Sequence, residues 1–301
     1  MAALLREGTF SQTFVATDGD GSLINLKICN ATNARQSHSL QFEHQAMQAL
    51  MRRPHQHIHG ILGITRHSET SISFVLEPTS RMTELGSLLA QDGPWPAPAV
   101  RAMMVQMCHA LGHLHSLDII HRDLTPDSVL VDSTRRIRIT SFDSACPRAT
   151  ATSLIGTVRY PAPSSAAQHL FATHFACAAI RRLVSRLSRS QPEFMAPEVV
   201  IGATYTKAVD WWALGAVACE TLTGHTPFYV GEEMGVEDLV RRIIHSEIRV
   251  PVHAHAGHRE VAFILALLTR DPTQRLGAEL QDHEAVLAHE WFHEMLEMEM
   301  P

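Results

Sequence analysis

The chain has 301 residues, 45% of them hydrophobic, and a formal net charge of −6. Such a chain can bury a sizeable core, and its acidity speaks against nucleic-acid binding, which needs a basic face. No run of eighteen apolar residues occurs, so no membrane span is expected, and the opening MAALLREGTF lacks the apolar run of a secretory signal.

In chain order, alternation predicts a strand over 9–17, a hairpin turn at Asp18-Gly19-Asp20-Gly21 and a returning strand over 23–29. Phe42, Ala46, Ala49 and Leu50 recur at three- and four-residue spacings and predict a helix over 41–51. Residues 61–65 and 71–76 read as two more strands. After Pro78 the pattern turns mainly helical, with helices expected over 96–117, 207–222 and 261–268. A small strand-rich part followed by a larger helical part is an α+β architecture with a cleft between. Residues 158–191 break the composition: they hold five arginines and no Lys, Asp or Glu.

The five cysteines (Cys29, Cys108, Cys146, Cys177, Cys219) are widely spaced and lack a CxxC pair. They fit reduced thiols and a cytoplasmic location better than a disulfide framework or zinc site. Twenty histidines are unusual. His55, His57 and His59 alternate, and His253, His255 and His258 cluster, so a metal site is one reading, because i and i+2 side chains share a face in an extended segment. No acidic or cysteine partner stands beside either cluster at ligand spacing. Compositional bias in surface loops is the reading we favour.

The chemistry-bearing stretch is His121-Arg122-Asp123-Leu124, which opens HRDLTPDSVLVD and is followed, nine residues past Asp132, by Ser141-Phe142-Asp143. Gly156-Thr157 is continued, beyond the 158–191 interruption, by Pro192-Glu193-Phe194-Met195-Ala196-Pro197-Glu198. Asp210-Trp211-Trp212-Ala213-Leu214-Gly215, Leu222-Thr223-Gly224, Pro227-Phe228-Tyr229, Arg270-Asp271-Pro272 and Gln274-Arg275-Leu276-Gly277 complete the series. Apart from 158–191, the chain resembles the eukaryotic protein kinase domain, and within it the AGC serine/threonine kinases of the cyclic-AMP-dependent kinase and protein kinase B type. The resemblance implies a bilobal α+β fold: a β-rich N-lobe at 1–78, its first strand truncated, and a larger α-helical C-lobe at 79–301. It also implies ATP and Mg2+ as cofactors, and a protein partner or a protein substrate bearing serine or threonine.

By the same resemblance, Asp123 is the base for the substrate hydroxyl, Lys27 binds the nucleotide phosphates and Glu43 pairs with Lys27. Gly8 and Phe10 belong to the phosphate-covering loop. Leu76, Glu77 and Leu130 line the nucleotide pocket, with the hinge running to Thr79, and Glu84 reaches toward ribose. His121, Met47 and Phe142 form an internal spine. Arg122 receives an activation-loop phosphate, with Ser153 as its candidate site. Thr157 belongs to the substrate-docking loop, and Asp127 and Glu220 select basic substrate residues. Glu198 and Arg275 form a buried ion pair, and Asp210 braces the catalytic loop.

The departures fall on the metal. Ser128 and Ser141 stand where the family places asparagine and aspartate to hold magnesium. Asp143 is the candidate substitute carboxylate, but bringing it into place needs two inserted residues and sacrifices Phe142. Thr125 replaces a lysine, Asn25 replaces a small alanine against the adenine, and Arg6 and Ser11 should obstruct the phosphate loop. These substitutions lead us to expect a pseudokinase that acts as scaffold or allosteric partner and binds ATP weakly. The alternative is a weakly active serine/threonine kinase that retains Lys27, Glu43 and Asp123. Residues 158–191 read first as translated intron: 34 codons, in frame, splitting one motif. The alternative there is a basic amphipathic helix that contacts a membrane or a regulatory protein.

Overall fold

The structure, a computed structural model, describes residues 3–148, 150–151, 191–229, 235–250, 257–278 and 282–293. Ser153, Thr157, residues 158–190, Cys177, His253 and His255 lie outside the described residues. The chain divides into two compact units, Met1–Gln91 with Val105–Arg148, and Asp92–Met104 with Ala149–Pro301.

The first unit is built on a five-stranded antiparallel sheet in the order β1-β2-β3-β5-β4. Its strands are β1 (Ala3–Glu7), β2 (Ser11–Thr17), β3 (Leu23–Asn30), β4 (Ile61–Arg66) and β5 (Ser71–Leu76). The turn between β2 and β3 closes because the Asp18 carboxylate accepts from the amides of Asp20 and Ser22, while Gly21 takes a φ of 81°. Along β3 the usual polarity is inverted: Asn25, Lys27 and Cys29 are buried while Ile24, Leu26 and Ile28 are partly exposed. Polar side chains are thereby carried to the inner face, where they need partners.

Helix α1 (Ala34–Arg52) starts about two turns before the predicted 41–51, because the Asn33 side chain caps it by accepting from the Gln36 amide at 3.0 Å. Its buried stripe is Leu40, Glu43, Ala46, Met47 and Leu50. Five further strands, β6 (Met82–Glu84), β7 (Ile119–Ile120), β8 (Val129–Asp132), β9 (Ile137–Ile139) and β10 (Cys146–Pro147), form a sheet in the order β6-β8-β9 and a β7-β10 ladder. Helices α2 (Leu85–Asp92) and α3 (Ala97–Ser116) lie between β6 and β7 in the chain.

The second unit is centred on α4 (Ala208–Thr223), which is buried on nearly all sides and ends at Gly224 with φ 78°. Helices α5 (Val236–His245) and α6 (His258–Leu267) follow. Gly215 lets α4 approach α6 closely, since a Cβ there would come within 2.9 Å of the Leu267 side chain. Arg275, almost fully buried, forms a bidentate pair with Glu198 at 2.7 and 3.0 Å. It also donates to the carbonyls of Thr269 and Ala208 and stacks over Trp212. Among the described residues, no helix is long and apolar enough to cross a membrane.

The paired strands at 61–66 and 71–76 and the long helix at 97–116 fall where the sequence pattern puts them. The small sheets after Pro78, and helices α2 and α5, have no counterpart in the predicted elements. The first strand, β1, spans five residues, four of them registered antiparallel against β2 around an irregularity at Leu5.

Candidate active site

Every residue of this site belongs to the first unit. Lys27 projects from β3 and is buried, with its ammonium 2.5 Å from Glu43 Oε1 of α1. It also pairs with Asp143, which follows Phe142 in the short turn Phe142–Ser144. Burial alone would lower the lysine pKa, but the carboxylates of Asp143 and Glu43 outweigh it and hold the ammonium charged. Burial pushes the Glu43 pKa up despite Lys27, and its Oε2 is buried without a hydrogen bond. Asp143, by contrast, is held below the ordinary carboxylate range: burial raises it, and Lys27 overrides that effect. One ammonium thus fastens β3, α1 and the Phe142–Ser144 turn.

Asp123 follows Arg122, which has φ 69° and donates through Nε to the Ser144 carbonyl at 2.5 Å. The half-buried Asp123 carboxyl is pushed up by burial, partly countered by His121. His121 is fully buried, bonds the Thr140 carbonyl through Nε2 at 2.9 Å and meets the Phe142 ring edge-on at 5.2 Å. Met47 is buried on α1, which packs against the Phe142–Ser144 turn.

The two positions expected to hold a metal are engaged elsewhere. Ser128 is buried, and its hydroxyl accepts from the Thr125 amide and donates to the Thr125 carbonyl, each at 2.9 Å. Ser141 takes a left-handed conformation, φ 66° and ψ 60°, and its hydroxyl accepts from Arg6 Nη1 at 3.0 Å. Asp143, the candidate substitute, is paired with Lys27. Magnesium asks for an octahedron of oxygens anchored by carboxylates. Here the donors are two neutral hydroxyls, each hydrogen-bonded within the chain, and a carboxylate already matched to an ammonium. Among the described residues no cluster of three or more His, Cys, Asp or Glu could hold a metal. The donor set does not fit the ion.

The nucleotide side is also internally bonded. Leu76 and Leu130 are buried, at the end of β5 and on β8, and Leu130 is registered against Glu84. Asn25 is buried, and its amide donates to Thr79 Oγ1 at 2.8 Å, crossing the space where a small residue was expected. The Glu77 carbonyl bonds His59 Nε2 at 2.9 Å, and the Glu77 carboxylate pairs with Arg138. In the phosphate loop the Gly8 amide donates to the Ser11 carbonyl at 2.7 Å, and the Ser11 hydroxyl fills the space a Gly8 Cβ would need. Phe10 is half-buried beside it. Arg6 bonds Ser141 and stands 3.8 Å from Glu84, the residue expected to reach ribose.

The sequence reading brought Lys27 and Glu43 together and named Arg6 as an obstruction. It did not find the Lys27–Asp143 pair, the Arg6–Ser141 bond or the His59 contact with the hinge. The signal for the first was a carboxylate one residue past Phe142; for the last, a histidine alternating with two others. Those histidines do not converge on a metal: His55 stacks on His113 at 5.0 Å, His57 Nδ1 bonds the Ile137 carbonyl, and His59 turns to Glu77. Asp127 stands in the turn Pro126–Ser128 of the first unit. Glu220 and the fully buried Asp210 lie on α4 of the second.

The protein kinase domain family matches residues 2–174 and 176–292, so the chain belongs to that family. The match takes in most of 158–191, the stretch the motif comparison set apart. The AGC-like motifs agree with the relatives found. Cyclic-AMP-dependent protein kinase type 3 of Saccharomyces cerevisiae is 33% identical over 215 residues, covering 71% of this chain and 44% of the relative. The cyclic-AMP-dependent protein kinase catalytic subunit of Arthrobotrys oligospora is 31% identical, covering 70% and 34%. Serine/threonine-protein kinase Sgk2 of Rattus norvegicus is 27% identical over 303 residues, covering 96% and 69%. The chain therefore spans less than half the length of the first two relatives.

Proposed function

We propose that this AGC-like serine/threonine kinase domain is a pseudokinase that binds nucleotide weakly and acts through its surface, as a scaffold or allosteric partner of another protein. The observation that carries the reading is the fate of the three metal-side oxygens. Ser128 is closed on Thr125, Ser141 on Arg6 and Asp143 on Lys27. Phosphoryl transfer is mostly positioning and charge neutralisation, and the magnesium ions supply much of the latter. Forgoing several kcal/mol of that stabilisation slows transfer by about a thousandfold or more, at about 1.4 kcal/mol per tenfold.

A second reading, a weakly active kinase acting on protein serine or threonine, draws on the Lys27–Glu43 pair and on Asp123. These two parts alone would position a phosphate and accept a proton. Transfer of labelled phosphate from magnesium-ATP to a basic serine/threonine peptide separates the two. The parent should show almost no transfer. Restoring ligands with Ser128→Asn and Ser141→Asp, together with Arg6→Gly so that the new carboxylate is not captured by a guanidinium, should raise it by at least tenfold. Turnover by the unaltered chain at about 1 per second or faster, the ordinary range for kinases, would make the pseudokinase reading wrong.

A further inference from the structure

Away from the Lys27 site, the first unit holds a cavity of about 630 Å³ whose lining includes His57, Arg81, Asp132, Arg135, Arg136 and Arg138. That volume is in the range of small-molecule sites. Four guanidiniums face a single carboxylate there, in a chain whose net charge is −6. The carboxylate is committed to its own loop: Asp132 Oδ1 accepts from the Thr134 amide, the Thr134 hydroxyl and the Arg136 amide at 2.7–3.0 Å. Arg138 is matched to Glu77. Among the described residues, the Arg81 and Arg136 side chains have no hydrogen-bond or ion-pair partner.

The loop between β8 and β9 adds an independent observation. Arg135 is held at φ 62°, a left-handed conformation that favours glycine or asparagine and costs an ordinary residue about 1–2 kcal/mol. Gln106 of α3 pins the loop from both ends, donating to the Arg135 carbonyl at 3.1 Å and accepting from the Ile137 amide at 3.0 Å. An arginine in that place strains the backbone and adds a guanidinium to the cavity wall. Strain of this kind points to function when the surrounding structure enforces it. The positive field is felt locally: the His57 pKa is lowered, first by burial and then by His109, Arg136 and Arg138.

We propose that this cavity is a binding site for a compact polyanion with clustered phosphate groups, gripped by Arg81, Arg135 and Arg136 and by Arg138 at its hinge side. The planar guanidinium fork matches phosphate oxygens two at a time, and guanidiniums from two separate segments, the turn before β6 and the β8–β9 hairpin, suit several phosphates better than one. The same chemistry is offered by a soluble polyphosphate and by a multiply phosphorylated lipid headgroup.

The test uses the full chain. Inorganic tripolyphosphate is titrated by calorimetry, and in parallel the protein is pelleted with vesicles of phosphatidylcholine alone or with phosphatidylinositol bisphosphate. Arg135→Gly should weaken binding about tenfold, the loss of one charge-assisted contact, while leaving the melting temperature unchanged or raised, because glycine relieves the backbone. A merely structural arginine would move stability downward and leave binding alone. Arg81→Ser with Arg136→Ser should abolish binding, whereas Arg66→Ser, at an exposed arginine of β4 outside the cavity, should leave it intact. Pelleting that requires the phosphorylated lipid, and is lost in the cavity-arginine variants, supports the site with a headgroup as its source. Tripolyphosphate binding without pelleting supports it with a soluble anion. No binding of either probe, or binding unchanged in the cavity-arginine variants or abolished equally by Arg66→Ser, overturns the proposal.

Discussion

Asp143→Asn separates two opposite roles for one carboxylate. In the structure Asp143 pairs with Lys27, the lysine that should hold nucleotide phosphates, so it competes with them. Hydrogen bonds to charged groups contribute about 1.5–3 kcal/mol, and the 42% exposure of the Asp143 side chain reduces that through solvent screening to roughly 1 kcal/mol. Removing the charge also removes its repulsion of the phosphates, with the same sign. Lys27 keeps Glu43, so it stays oriented on β3. ATP titrated by calorimetry in the presence of EDTA should therefore bind the variant about five- to tenfold more tightly than the parent. If Asp143 were instead the substitute magnesium ligand, the parent would bind ATP more tightly with magnesium than with EDTA, and the variant would lose that gain. That result would refute the reasoning.

His59 is buried between the Glu77 carbonyl and the Thr140 hydroxyl, and its pKa is pushed down to about 4, first by burial and then by Arg138. An imidazole with a folded pKa below its unfolded 6.5 is protonated first in the unfolded chain, so its contribution is present above pH 6.5 and is lost as pH falls toward 4. Relative to His59→Gln, the parent should lose about 3 kcal/mol across that window in urea unfolding; a pH-independent difference would contradict the assignment. Glu198→Ala leaves the Arg275 guanidinium buried without its carboxylate and should cost about 3–5 kcal/mol, read as a fall in the urea midpoint; a loss under 1 kcal/mol would show that the pair is not structural. The mature transcript is expected to lack the codons of 158–191, and a dominant message that retains them would sink the intron reading.

The strands and long helices were legible because their signals are local. The Asp18-Gly19-Asp20-Gly21 turn and the Phe42-to-Leu50 spacing need no distant partner to be read. The helix start at Ala34 was missed because its cap, Asn33, precedes the apolar stripe by about two turns. Strands β6, β8 and β9 are three or four residues long and owe their pairing to tertiary context, so alternation could not disclose them. In the site, motif order located Lys27, Glu43, Asp123 and Phe142, but not which polar atoms had already found partners. The inverted burial of β3 is the physical reason: with Asn25 and Lys27 on the inner face, bonds to Thr79, Glu43 and Asp143 decide what each can do, and those lie 16 to 116 residues away.

Those same bonds bear on how a kinase-fold site can lose its chemistry without losing its shape. A buried ammonium or carboxylate left alone costs several kcal/mol, so a site that gives up its ligands must supply internal ones or unfold locally. Lys27 has two carboxylates, Ser141 has Arg6, Ser128 has both backbone groups of Thr125, and the hinge carbonyl of Glu77 has His59. All but the local Ser128 bonds also tie separate elements together: β3 to α1 and to the Phe142–Ser144 turn, β1 to Ser141, and the hinge to the segment before β4. On the reading proposed above, a nucleotide entering this site would exchange such contacts rather than fill waiting donors. Its net gain shrinks accordingly, although every individual contact it makes is a good one. The internal pairing of the site and the weak nucleotide affinity we propose thus have one cause. It follows that substitutions loosening the internal bonds should raise affinity and lower stability together, a coupling that simple loss of phosphate-binding residues would not produce.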